Sequence, residues 1–430
     1  MEQQLDMQLS RRSIFAMAGL GALAAAIPAP LYAFASREYP EMTANMMRYL
    51  ETRKAAGIVM AVGIGDDAPD IIKSGTLSFA SQTPVDEHSL FRVYSMTKPI
   101  TGIAAMILVD DGKIKLDQPI ADFLPEFAKM RVLTDSENSM ESVPAKTQIT
   151  LRHLLTHTAG LGYSIISKGP LLKAYMANGI TPGVVSKLPI PGFTGGAPTP
   201  DIETFSKRLG ALPLIAEPGT KWSYSVALDL LGHLIGVVSG MKFEEFLAQR
   251  IFGPLGMKSS FFHVPKSEVH RFTTNYAVNN GKLLPIDPGQ HSIFLDKPAF
   301  AFGGAGLVST AHDYDHFLHC MMNFGKLGDV RIMSDAAARL ALSNLLPAAV
   351  NTDGTFVNGA TFGAGGRVGL GIQAGSFGWG GAAGTNAFVS TKYRVRATGM
   401  IQYMPSRAQD FQSKFPGWVI ADLVALGVIG

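Results

Sequence analysis

Two apolar rhythms divide the chain. Residues 57–64 are almost all apolar and β-prone, Asp66-Asp67-Ala68-Pro69 is a turn signal, and 70–78 reads as a second strand, so a hairpin is expected. From 95 to 111 the pattern is that of a buried helix, with Ile100, Ile103, Ala104, Met106, Ile107 and Leu108 as its apolar positions and Gly112 as its stop. Pro99 fits that helix only in the first turn, which places the helix start close to Ser95. Residues 150–158 read as a short helix ended by Gly160, 225–238 as a helix capped by Gly240, and 243–252 as the helix after it. Helices are expected again at 309–324 and 334–345, and paired strands at 385–390 and 394–403. A closing helix at 407–426 is expected to break at Pro416-Gly417. The Gly- and Pro-rich stretch 169–200 reads as a long irregular loop, a kind of segment often used for function.

Strands near both ends and helices between them predict an α+β fold, an antiparallel sheet flanked by helices with an inserted, mainly helical domain. The expected division assigns 36–90 and 301–430 to the sheet-bearing domain and 91–300 to the helical one. The first 35 residues stand apart. A twin arginine in Ser10-Arg11-Arg12-Ser13-Ile14-Phe15 precedes an apolar run at 14–27, prolines at 28 and 30, and the small-x-small group Ala33-Phe34-Ala35. That order is the order of a secretory signal of the twin-arginine type, cleaved after Ala35. The run has 14 residues, short of the roughly 20 that span a bilayer, and no other segment is long and apolar enough to do so. The expected location is the bacterial periplasm or the exterior, with no stable membrane span after cleavage.

Composition removes several function classes. Of the 430 residues 47% are hydrophobic and 17% charged, which supplies a core and argues against disorder. With Lys+Arg 37 and Asp+Glu 34 the net charge is +3, and it stays +3 after removal of the signal, because Glu2 and Asp6 offset Arg11 and Arg12. Such a balance gives no basic field for a nucleic acid. One cysteine, Cys320, leaves no intrachain disulfide and no cysteine-based metal site. Dinucleotide, phosphate-loop and Gly-x-Ser-x-Gly fingerprints are missing, and no cofactor or metal is implied. His153 and His157 share helical spacing but lack the Glu of a His-Glu-x-x-His site, so they read as structural. His312, His316 and His319, with Asp313 and Asp315, read as a solvated helix face.

Candidate chemistry begins at Ser95-Met96-Thr97-Lys98. Ser-x-x-Lys puts a hydroxyl and an amine one helical turn apart. A serine in the first turn also has a free backbone N–H that can hold an oxyanion. A second Ser-x-x-Lys, Ser239-Gly240-Met241-Lys242, sits at a helix end with Gly240 breaking the spacing, and lacks that geometry. Ser95 has company. Tyr224 follows 129 residues on, in Trp222-Ser223-Tyr224-Ser225, and Trp379-Gly380-Gly381-Ala382-Ala383-Gly384-Thr385 begins 155 residues after Tyr224.

These three elements in this order resemble the serine β-lactamase and penicillin-binding-protein superfamily, most of all the class C β-lactamases and family VIII carboxylesterases. The likeness runs from about Gly57 to about Tyr403 and takes in three further stretches, 151–161 (LRHLLTHTAGL), 252–257 (FGPLGM) and 303–311 (GGAGLVSTA). It implies the β-lactamase/transpeptidase-like α+β fold with the site at the domain interface. It also implies that Ser95 is the acyl-accepting nucleophile, that Lys98 and Tyr224 are its base system, and that the N–H groups of Ser95 and Ala382 form the oxyanion hole. Trp379, Gly380 and Gly381, on the edge strand, would border the substrate. The chemistry is self-consistent, since a phenol with an ordinary pKa of about 10 needs an adjacent ammonium to act as a base near pH 7.

Two departures bear on the substrate. Lactamases of the resembling family carry Tyr-x-Asn, and Val226 holds the Asn position here. They carry Lys-Thr-Gly where this chain has Trp379-Gly380-Gly381. Polar groups that would meet a β-lactam are thereby replaced by apolar ones, so a small-molecule ester is the expected substrate. Three alternatives stay open: a β-lactamase or D-amino-acid peptidase acting on cell-wall-type substrates, an acyltransferase using an alcohol in place of water, and a non-catalytic binding protein that keeps the fold. Oligomeric state is left open.

Overall fold

The computed structural model describes residues 37–188 and 199–429. The export signal expected at 1–35 and the part of the expected loop at 189–198 lie outside the described residues. Among the described residues the largest sheet has seven antiparallel strands. They are β1 (Gly57–Ile64), β2 (Asp70–Gly75), β3 (Ala360–Phe362), β4 (Arg367–Gly369), β5 (Ser376–Gly380), β6 (Asn386–Ser390) and β7 (Val395–Met400). Their spatial order is β3-β4-β5-β6-β7-β1-β2, so the N-terminal hairpin joins beside the last strand, with Val59 opposite Met400 and Val62 opposite Ala397. The unbroken apolar run of β1 follows from burial on both faces. Val59 and Ala61 enter the core shared with the middle of the chain, while Ile58, Met60 and Val62 enter a second core with Met42, Phe415 and Trp418.

The α-helices of the described residues are α1 (Pro40–Glu51), α2 (Thr97–Asp110), α3 (Leu151–Leu155), α4 (Gly169–Ala177), α5 (Ile202–Gly210), α6 (Ala227–Ser239), α7 (Phe243–Leu247), α8 (Ala311–Met322), α9 (Asp335–Ala341) and α10 (Phe411–Ala425). None is long and apolar enough to cross a membrane. α1 and α10 cover one face of the sheet. The Tyr39 side chain makes no capping bond at the start of α1, and Asp422 of α10 supplies the cap instead, accepting the N–H groups of Glu41 at 2.8 Å and Met42 at 2.9 Å. α8 covers the other face. Its buried Asp315 accepts from Arg396 Nε of β7 at 2.8 Å, and a Cβ at Gly63 would lie 2.2 Å from that guanidinium.

Several expectations need correction. The helix bearing His312, His316 and His319 is not a solvated face, because it lies between the sheet and the 255–260 segment. Asp313 and Asp315 are buried, Asp313 accepts from Ser259 N–H at 2.6 Å, and His316 Nδ1 meets the Leu255 carbonyl at 2.8 Å. Residues 169–200 are not irregular throughout. Gly169-Pro170 opens α4, where a first-turn proline sacrifices no hydrogen bond, and Leu171 and Tyr175 bury its inner face. The closing helix runs unbroken through Pro416. The Gln412 carbonyl that the proline leaves unpaired accepts from Asn386 Nδ2 at 2.7 Å. The segment 243–252 is α-helical to Leu247 and then widens into a π-helical turn. The 379–385 element does lead into a strand, β6, but Trp379 and Gly380 also end β5, which is third in the sheet and not an edge strand. β4 pairs only as far as Gly378, however, so the tip of β5 has β6 alone beside it.

Arg92 ties the approach to α2 to the 272–292 segment. It is fully buried, donates from Nε to Asp287 Oδ2 at 2.6 Å and from Nη1 to the Thr273 carbonyl at 2.7 Å, and lies 4.1 Å over the Phe272 ring. Asp287→Ala leaves this guanidinium buried without its counter-charge. The expected loss is about 3–5 kcal/mol in urea unfolding; a loss under about 1 kcal/mol would show that water reaches Arg92 once the carboxylate is gone.

Candidate active site

A short 3₁₀ turn, Tyr94–Met96, leads into α2 and presents Ser95. Tyr94 takes a left-handed φ of 42°, uncommon for a residue with a side chain. Thr97 Oγ1 secures the turn by donating to the Tyr94 carbonyl at 2.6 Å while accepting the Leu307 N–H at 3.1 Å. Ser95 is half-buried. Lys98, one turn along, is completely buried.

Three expected residues meet at one oxygen. Tyr224 OH donates to Ser95 Oγ at 2.8 Å and Lys98 Nζ donates to it at 3.2 Å. Lys98 Nζ also donates to the Gly304 carbonyl at 2.6 Å and stands 4.6 Å from the Tyr224 ring centroid and 5.7 Å from that of Tyr163. Trp379 Nε1 donates to the Tyr224 hydroxyl at 3.2 Å. Its indole nitrogen thus faces the phenol, while its ring packs at 5.7 Å from Tyr224 and 5.3 Å from Phe362.

The turn between β5 and β6 is built for close approach. A Cβ at Gly381 would sit 2.3 Å from the Val93 carbonyl, so the glycine lets the turn lie against the segment that leads to Ser95. Gly381 N–H donates to the Thr385 carbonyl at 2.8 Å. Gln412 Nε2 of α10 donates to the carbonyls of Gly381 at 2.6 Å and Thr385 at 2.9 Å. Ala382, the next residue, is partly exposed, as Ser95 is. Gly380 is packed against Gln412. Val226 is not brought to an accessible wall. It is fully buried at the start of α6, where its N–H donates to the Gly162 carbonyl at 3.2 Å, so it is a packing residue and not a recognition surface.

His153 and His157 both have structural roles. His153 completes a reciprocal cap with Thr150 at the start of α3, and burial lowers its pKa to about 4. His157 Nδ1 accepts from Ser225 N–H at 3.2 Å, and its ring lies 4.8 Å from that of Tyr224. Burial, seconded by the Lys98 charge, holds it well below the usual imidazole range. Among the described residues no group of three metal-binding side chains converges. Asp229 and Gly304 escaped sequence reasoning as members of the site. The available signal was a lone acid on the otherwise apolar face of α6, five residues after Tyr224.

The beta-lactamase family model matches residues 42–414. The chain belongs to the beta-lactamase family. It is 31% identical over 272 residues to Esterase EstB of Burkholderia gladioli, covering 60% of this chain and 62% of that protein. It is 34% identical over 241 residues to Acyltransferase calJ of Penicillium decumbens, covering 54% and 52%. Such matches span about half to three-fifths of the length of these curated relatives. In structure it is similar to EstCE1, described as a hydrolase with promiscuous acyltransferase activity, with a TM-score of 0.72 at 24% identity over 89% of this chain and 97% of that one. That likeness establishes the β-lactamase/transpeptidase-like α+β fold.

Trp379→Phe keeps the aromatic packing and removes the donor to Tyr224. A lost neutral hydrogen bond of about 1 kcal/mol predicts a roughly five- to tenfold lower kcat on an ester, with an unchanged melting temperature. An unchanged kcat would mean that Trp379 serves as a wall only.

Proposed function

We propose that the chain is a serine hydrolase that cleaves small carboxylic esters through an acyl-enzyme on Ser95. The observation that carries this reading is the double donation to Ser95 Oγ from Tyr224 at 2.8 Å and Lys98 at 3.2 Å. For Oγ to attack the ester carbon, Tyr224 must react as a phenolate beside the Lys98 ammonium; the phenolate oxygen then accepts the Oγ proton as the new C–O bond forms. The N–H groups of Ser95 and Ala382 receive the charge on the carbonyl oxygen. The C–O bond to the alcohol then breaks, and the departing oxygen takes the proton held by the pair. Water enters, gives a proton to the Tyr224 oxygen and attacks the acyl carbon; the acyl bond to Oγ then breaks, Oγ takes that proton back, and the acid leaves. No metal or cofactor has a part in these steps.

Ester cleavage is favoured over β-lactam cleavage by the third element. The residue that replaces a lysine there is an indole whose N–H is spent on Tyr224. Relatives named as an esterase and as acyltransferases support the same acyl chemistry, with water or an alcohol as the second nucleophile. We infer further that residues 1–35 direct export, on the order of charge, apolar run and cleavage site.

Ser95→Ala is expected to abolish turnover of p-nitrophenyl butyrate while the protein stays folded. Near-normal turnover in that variant would remove Ser95 from the mechanism. On the wild type, kcat/KM for p-nitrophenyl butyrate is expected to exceed that for a chromogenic cephalosporin by at least about 100-fold. A ratio below one would establish a lactamase instead.

A further inference from the structure

Lys98 carries an amine into the interior without a carboxylate beside it. The residue is 0% exposed, and among the described residues no carboxylate oxygen comes within 4.0 Å of Nζ. An ammonium in such a place is costly unless its charge is compensated. One acid shares the same interior. Asp229, at the third position of α6, is also 0% exposed. Its Oδ1 accepts the Gly304 N–H at 2.8 Å, on the residue whose carbonyl accepts from Lys98 Nζ at 2.6 Å. Its Oδ2 is buried with no hydrogen-bond partner, and a Cβ on residue 304 would lie 2.6 Å from it. A residue without a side chain therefore joins acid and base, one on each side of it.

We propose that Asp229 is the counter-ion of Lys98, a positioning residue that acts through Gly304 and through its charge to hold the Lys98 ammonium between Ser95 Oγ and the Tyr224 ring. The proposal rests on the ester-hydrolase reading of Ser95. Several forces act on the acid. The first turn of α6 favours a negative charge, as do Lys98 and the Gly304 N–H, while burial opposes it and raises the Asp229 pKa to about 6. The other titratable groups around the pair are Tyr163, Tyr224 and His157. Tyr163 is pushed up by burial and then by Asp229, and His157 is pushed down by burial and then by Lys98, so neither supplies a charge at neutral pH. Below about pH 6 the carboxylate takes a proton, and Lys98 loses its compensation.

Asp229→Asn separates charge from anchoring, because an amide oxygen still accepts the Gly304 N–H. On p-nitrophenyl butyrate at pH 7.5 it is expected to lower kcat about 100-fold with KM within about twofold, and to erase the acid limb of the rate profile near pH 6. An acid whose folded pKa lies above its unfolded value costs stability once pH rises past both, and that cost disappears as pH falls below the unfolded value. Against that cost stands the compensation Lys98 loses, so the Asn variant should melt close to the wild-type temperature at pH 8, and any difference should close toward pH 4, where the wild-type acid is itself protonated. Two results would overturn the proposal: an Asn variant with wild-type kcat and the same acid limb, or one that melts well below wild type at pH 8 yet keeps full rate per folded molecule. Either would leave Asp229 as an anchor for Gly304 alone. Failure of a fluorophosphonate probe to label Ser95 in the wild type is a separate result, and it would overturn the ester-hydrolase reading together with this proposal.

Discussion

The 2.6 Å hydrogen bond from Lys98 Nζ to the Gly304 carbonyl places an amine at the centre of the molecule, and much of the sequence around it answers to that placement. The carbonyl can reach α2 only because residues 303 and 304 lack side chains. A Cβ on Gly303 would stand 2.4 Å from the Leu228 carbonyl, and one on Gly304 would strike Asp229. Thr101 Oγ1, one turn beyond Lys98, donates to the Gly303 carbonyl at 2.7 Å and holds the same strand of backbone from below. The rings of Tyr163 and Tyr224 turn their faces to the amine, which recovers part of the solvation that water would have given. The glycine pair 303–304, part of a stretch that first appears as one of several likenesses to a family, is thus a packing requirement of the contact with the lysine.

The tip of β5 shows how a binding group becomes a structural one. In the lactamases this chain resembles, the third element offers a cation and a hydroxyl toward the ligand. Here the indole N–H of Trp379 points inward to Tyr224, and the ring joins an aromatic wall with Tyr224 and Phe362. The polar atom of this element is spent on the phenol.

The sequence showed most clearly those features whose cause is local. β1, α2, α6 with its Gly240 cap, and the β6–β7 pair lie close to where periodicity and stop signals put them, because each is set by its own apolar pattern and a breaker. What escaped has a partner far away in the chain. Pro416 reads as a break until Asn386 is seen to take up the Gln412 carbonyl. Asp315 reads as solvated until Arg396 arrives from β7. β3, β4 and β5 are three to five residues long, set among glycines, and become strands by pairing with one another and with β6. Ser95, Lys98 and Tyr224 were legible through motif spacing. Asp229 was not, since a single acid on a helix carries no signature until the glycine opposite it is in place.

The pairing of β1 with β7 has a consequence for how the chain comes into being. Residues 57–64 and 395–400 are neighbours in the sheet, and Gln412 pins the turn beside Ser95. At about 5–20 residues per second of synthesis, the N-terminal hairpin waits tens of seconds for the strand it pairs with. Until then β1 has no partner on that side and α10 is not there to complete one of its covering layers, and the turn beside Ser95 lacks the Gln412 contacts that pin it. The surroundings of Ser95 are therefore completed only with the last few dozen residues of the chain.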